Sequence, residues 1–151
     1  MSTISENKFI DDLKTFISIS NHIEDDWIKR NENGHTFISK RVLTHNQYTS
    51  EYHVIYSHSY GVPIIYIRLY DSKGQLILDP SLVGQMSEKY LSPVPHPIFG
   101  SPYLHIHPCK TAEVMEKIKD LNSKNYLISF LSTMGLYVGL SLSLEYAKTP
   151  L

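Results

Sequence analysis

Cys109 is the single cysteine in 151 residues, and it stands in YLHIHPCKTAEVM (103–115), two residues after His107 and four after His105. Three uses of such a thiol are open: nucleophilic attack, metal ligation, and burial as a small apolar residue. An unperturbed thiol, with a pKa of about 8.5, is only a few per cent thiolate at neutral pH, so its surroundings decide. A helix-like pattern starts just after it, with Val114, Met115, Ile118 and Leu121 on one stripe, Thr111 placed to cap and Glu113 in the first turn. Cys109 is therefore expected immediately ahead of a helix N-terminus, where the dipole, Lys110 and a protonated His107 all favour the anion. As ligands, His105, His107 and Cys109 alternate along one strand face and His96 would complete a zinc set. Pro108 interrupts that strand, however, and the paired spacings of zinc sites are missing. A cysteine protease would need a separate His and an Asn or Asp delivered by the fold, and eight histidines make that pattern unspecific.

The elements that must hold this cysteine can be read by period. Phe9, Ile10, Leu13, Phe16 and Ile17 form a helical stripe, with Ser5 available as N-cap and Glu6 in the first turn. After the turn signal NENG (31–34) the period changes. HTFISKRVL (35–43), SEYHVIYSH (50–58) and VPIIYIRLY (62–70) are rich in β-branched and aromatic residues and read as strands of a meander. DSKG (71–74) reads as a turn into a fourth antiparallel strand at 75–79. Between Pro80 and Pro102 the run SPVPHPIFGSP excludes helix interior and central strand, which leaves an ordered loop with short edge pieces. YLHIH follows as a short strand, and a further helix is expected from about Ser123, with Gly135 and Gly139 blurring its end. The fold class is α+β in a single domain, 1–151.

Composition narrows the function. Hydrophobic residues make up 42% and charged residues 19%, the balance of a chain that buries a core and not of a disordered one. With 14 Lys plus Arg against 15 Asp plus Glu, no charge excess draws the protein to nucleic acid or to an anionic membrane. A lone cysteine and the absence of a secretory h-region in MSTISENKFIDDL point to a reducing, cytoplasmic setting. The 19 residues from Tyr126 to Leu144 carry no charge and approach the length of a membrane span. Five Ser and Thr dilute them and the apolar residues recur at helical spacing, so a buried core helix is expected there and no transmembrane segment.

The order of elements, HPCKT (107–111) and the strand-turn-strand YSHSYGVPIIYIRLYDSKGQLIL (56–78) together resemble the autophagic E2-like conjugating enzymes, over roughly Phe9 to Tyr137. That resemblance implies an E2-like core: an N-terminal helix, a four-stranded antiparallel meander, extra short strands before the catalytic cysteine, and C-terminal helices. Two branches share the His-Pro-Cys motif. One lipidates its ubiquitin-like modifier on phosphatidylethanolamine and carries a large insertion where this chain has only the Pro-rich connection 80–102. The other, the autophagy-related protein ten family, joins autophagy-related protein twelve to a lysine of autophagy-related protein five, and this chain is more similar to it.

The resemblance further implies that Cys109 accepts the modifier's C-terminal glycine as a thioester from an E1-like enzyme, autophagy-related protein seven, with no cofactor of its own, and that a lysine amine then attacks. Ubiquitin-conjugating enzymes place an asparagine ahead of their cysteine to support the oxyanion, and this sequence has none there. The amides at the start of the helix expected at 111–121, or His107, must serve instead. His107 is the nearest titratable group to the incoming lysine, and Tyr56 could reach the site if its strand packs beside the cysteine loop; bracing a turn and filling a strand are the alternatives for each. A catalytically silent E2-like binding module, using sheet edge and Pro-rich loop, is the alternative of another class.

Overall fold

The computed structural model describes residues 3–44, 47–83, 87–119 and 125–148. Helix α1 (Glu6–His22) is followed by strands β1 (Ile28–Glu32), β2 (His35–Leu43), β3 (Thr49–Ser57) and β4 (Val62–Tyr70), then by a two-residue strand β5 (Leu76–Ile77). A 3₁₀ turn (Pro80–Leu82) and the single-turn helix α2 (Ser87–Tyr90) lead into the hairpin of β6 (Leu91–Pro95) and β7 (Pro102–Ile106). Helices α3 (Pro108–Ile118), α4 (Tyr126–Met134) and α5 (Glu145–Lys148) complete the described chain.

Local chemistry accounts for the boundaries. The Ser5 hydroxyl accepts from the Lys8 amide and starts α1, and that helix buries Phe9, Leu13 and Phe16 from the expected stripe. Asn33 and Gly34, at φ of 50° and 80°, make the two-residue turn that pairs Glu32 with His35, so NENG closes a hairpin and Ile28–Glu32 becomes a strand that periodicity alone had not marked. The meander is thus β1 to β4. The strand expected at 75–79 shrinks to two residues because β7 takes the same edge of β4, pairing Tyr66 with His105 and Ile67 with Leu104.

The sheet order is β1-β2-β3-β4-β7-β6, with β5 beside β4 off that path and every pairing antiparallel. β6 is an edge strand in the Pro-rich region, as its composition requires. The His96 amide donates to the Ser101 carbonyl, so alternate amides on this strand turn toward β7 and those of positions 93 and 95 would turn outward. Both positions are proline, which leaves the outer edge short of donors and discourages a further strand from adding there.

One face of the sheet carries the helices. Ile38, Tyr52, Val54, Ile65, Ile67, Leu104 and Ile106 meet Phe16 of α1, Met115 of α3 and Phe130 of α4 in the main core. The Asp12 carboxylate accepts from the Tyr126 amide at 2.8 Å, and the Asn125 side chain donates to the Asp12 carbonyl, locking α4 to α1. The uncharged stretch 126–144 is broken after nine helical residues by the 3₁₀ turn Gly135–Val138 and by Gly139 in the left-handed conformation, φ 72°. Among the described residues no helix is long and apolar enough to cross a membrane. The other face holds a smaller cluster of Phe37, Ile55, Ile64, Tyr66 and Tyr103, partly roofed by Val94 and Ile98.

Candidate active site

β7 delivers the site residues in sequence: Leu104 and Ile106 anchor in the core, and the chain then turns through His107 directly into α3. The helix begins earlier than the Thr111 cap would have it. Pro108 takes the first helical position, where its missing N–H costs nothing, and His107 is the N-cap, its Nδ1 accepting from the Cys109 amide at 3.1 Å. Cys109 therefore lies inside the first turn instead of ahead of the helix, and Thr111 is a buried residue of the inner face. The thiol is exposed, so burial as a small apolar residue does not describe it.

The donors of this turn can be counted completely. Pro108 has none, the Cys109 amide is held by the His107 ring, and the Lys110 amide donates to the His107 carbonyl at 2.9 Å. From Thr111 onward the amides belong to the helix's own ladder. The free helix amides that sequence reasoning offered for an oxyanion are spent.

Around this turn the side chains are mostly aromatic. The exposed Tyr60, in the β3–β4 connection, meets the His107 ring edge-on with centroids 5.6 Å apart, and the His105 and His107 ring centroids are 6.2 Å apart. His105 is buried; burial lowers its pKa, and its Nδ1 faces the Ser92 carbonyl at 3.4 Å. The Lys110 ammonium is drawn over the rings of Tyr90 and Tyr137, at 4.9 and 5.9 Å, with Glu113 at 3.7 Å, so it points along the helix flank. Tyr60 and the Tyr90–Tyr137 pair carried no sequence signal: they reach the cysteine only through the folding of separate segments.

Tyr56 lies on β3, half-buried, with its ring against Phe9 and His58 and its hydroxyl donating to the Ile4 carbonyl at 2.7 Å. Among the described residues no hydrogen bond or ring contact joins it to His107 or Cys109. The zinc set loses His96, whose Nδ1 accepts from the Ile98 and Phe99 amides and whose Nε2 meets His53 Nδ1 at 2.9 Å. His96 belongs to a different group on the open sheet face. Because its Nδ1 only accepts, its Nε2 carries the proton, His53 accepts at Nδ1 and in turn donates from Nε2 to Glu51 at 3.1 Å. Arg41 closes the chain at the other Glu51 oxygen, 2.6 Å away. Hydrogen bonding from His53, aided by Arg41 and opposed by burial, holds the Glu51 carboxyl down at about 2, and burial pushes His96 down to about 4. A groove of about 1030 Å³ runs along this face past Arg30, Arg68, Phe99 and Tyr103, and Cys109 is not part of it.

Comparison with known proteins bears on the cysteine. Residues 3–145 match the family described as autophagocytosis associated protein, active-site domain. The human protein named ubiquitin-like-conjugating enzyme ATG10 is 37% identical over an alignment of 114 residues that covers 65% of this chain and 52% of that protein. Its Arabidopsis thaliana namesake is 31% identical over 114 residues, 63% of this chain and 51% of the relative, and that of Dictyostelium discoideum 29% over 123 residues, 65% and 54%. The chain thus spans about half the length of these relatives. The helix-sheet-helix architecture is E2-like, and the exposed cysteine in the first turn of α3 falls within the matched region. The chain belongs to the autophagocytosis-associated protein family, of which it carries the active-site domain.

Proposed function

We propose that this chain, as a single domain, is an E2-like conjugating enzyme of autophagy whose Cys109 carries a ubiquitin-like modifier as a thioester. The observation that carries the proposal is an exposed thiol, preceded by His-Pro, in the first turn of a helix within the matched active-site domain. The modifier's C-terminal glycyl carbonyl passes from the E1 thiol to Cys109 Sγ, and an acceptor lysine nitrogen then attacks that carbon, releasing the Cys109 thiolate. The names of the relatives support a ubiquitin-like modifier and an E1 that supplies it; on the resemblance of HPCKT and of the strand-turn-strand 56–78 to the autophagy-related protein ten family, we take the modifier to be autophagy-related protein twelve, supplied by autophagy-related protein seven in the cytoplasm, and the acceptor a lysine of autophagy-related protein five.

The test is incubation with that E1, that modifier and ATP, followed by intact mass measurement. A thiol-cleavable adduct that disappears in Cys109→Ala, and is replaced by a thiol-resistant oxyester in Cys109→Ser, is expected. A silent binding module forms no adduct. A loaded protein that discharges to phosphatidylethanolamine vesicles and not to the acceptor protein assigns the lipidating branch instead.

A further inference from the structure

Attack on a thioester turns its carbonyl oxygen into an oxyanion, and one well-placed donor at that atom is worth about 10²–10³ in rate. The usual sources are closed in this turn: Pro108 lacks an N–H, and the amides of Cys109 and Lys110 are both taken by His107. The Lys110 ammonium is held away over Tyr90 and Tyr137. Of the donors on the turn itself, the second nitrogen of His107 remains. A neutral imidazole has one donor and one acceptor, and since Nδ1 accepts from Cys109, the proton sits on Nε2. The ring is exposed, Nε2 has no hydrogen-bond partner among the described residues, and Tyr60 packs against its side.

We infer that His107 is the oxyanion donor of the transfer step: Nδ1 caps α3 while Nε2–H binds the carbonyl oxygen of the thioester on Cys109. The same geometry excludes a general base, because Nε2 already bears a proton and Nδ1 can take one only by releasing the Cys109 amide. The step balances without another reagent. The unprotonated lysine nitrogen forms the C–N bond, the carbonyl electron pair moves to the oxygen facing Nε2–H, the pair returns as the C–S bond breaks, and the surplus ammonium proton passes to the departing thiolate or to water.

This inference rests on Cys109 being the acyl carrier, so its test installs the thioester chemically and leaves E1-dependent loading as the separate test of that reading. The full chain is acylated at Cys109 by exchange with the N-acetylglycine thioester of mercaptoethanesulfonate, and discharge to free L-lysine and to hydroxylamine is followed by intact mass. His107→Ser is the discriminating variant, since the hydroxyl oxygen replaces Nδ1 as a strong N-cap while, attached at Cβ, it falls short of the position of Nε2–H; Asn is avoided because its side-chain NH2 would bring a new donor. Melting followed by Trp27 fluorescence confirms that the variant is folded. The expected result is a loss of roughly 100-fold toward both nucleophiles. Hydroxylamine is already unprotonated at neutral pH, so a base would matter only for lysine. Discharge of the Ser variant within threefold of wild type, or a loss confined to lysine, overturns the inference. Installation of the thioester with normal His107 dependence, but no loading by E1, would sink the E2 reading and leave the donor role standing.

Discussion

Acidification should loosen this protein through His96, and the size of the effect follows from its contacts. The imidazole is buried, with Nδ1 accepting from two loop amides and Nε2 donating to His53, and Arg30 and Arg68 add unfavourable positive potential that Glu51 only partly offsets. No nitrogen can take a second proton without breaking the cap of the β6–β7 loop. Its pKa falls from 6.5 to about 4, whereas in the unfolded chain it returns to the ordinary value. Between those values the unfolded chain binds a proton that the folded chain refuses, so stability is full above about pH 6.5 and declines toward pH 4. At about 1.4 kcal/mol per unit the loss approaches 3 kcal/mol, less if the loop opens locally to let the proton in. Glu51, held at about 2 in the folded chain, stays ionised throughout that window, but its unfolded value of 4.5 lies inside it, so Glu51 adds a loss of the same sign at the acid end that a His96 variant leaves in place. Burial lowers His105 as well and adds a slope of the same sign that a His96 variant leaves in place.

His96→Asn isolates the effect. Its oxygen can replace Nδ1 as acceptor for the Ile98 and Phe99 amides, but it neither titrates nor reaches His53. Leaving the buried His53 Nδ1 without a donor costs about 1–3 kcal/mol at pH 7.5. Urea unfolding followed by the buried Trp27, the single tryptophan, at pH 7.5, 6.5, 5.5 and 4.5 should show the wild type falling steeply and the variant much less, the two converging at the acid end. Equal slopes for the two proteins, or a flat wild-type curve, would refute the reasoning.

Tyr56→Phe removes only the hydroxyl that holds the Ile4 carbonyl; about 1 kcal/mol of stability and faster exchange of the Ile4 amide are expected, with thioester discharge unchanged, whereas a tenfold slower discharge at unchanged stability would put the hydroxyl in the chemistry. Tyr60→Ala should slow discharge several-fold by freeing the His107 ring, and Tyr60→Phe, which keeps the edge contact, should restore it; equal rates for both variants would remove Tyr60 as a positioning residue. Gly139→Ala should lower the melting temperature with a loss of about 1–3 kcal/mol, since φ is 72° and a Cβ there would collide with the Val83 carbonyl; a silent substitution would show that this turn relaxes freely.

Periodicity determined what periodicity controls. The apolar stripe and Ser5 were enough for α1, β-branched alternation placed β2, β3 and β4 within a residue of their observed limits, and the prolines at 93 and 95 kept β6 an edge strand, while the single-turn helix α2 ahead of it carried no sequence signal. The HPCKT motif likewise marked the cysteine, because a motif is local. What failed depended on competition or on separate segments meeting. β5 is cut short because β7 claims the same edge of β4, a choice made by strands some thirty residues apart. The start of α3 moved from Thr111 to Pro108 because an imidazole, which propensity does not rank as a cap, lies where its Nδ1 meets the Cys109 amide. Tyr60 beside His107, Lys110 between Tyr90 and Tyr137, and the Glu51–His53–His96 chain exist only once the sheet has aligned their strands and loops. Sequence thus singled out the cysteine, while the packing of distant segments decided which hydrogen-bond donors around it are already spent, since one amide proton serves one strong acceptor and only the folded chain shows which.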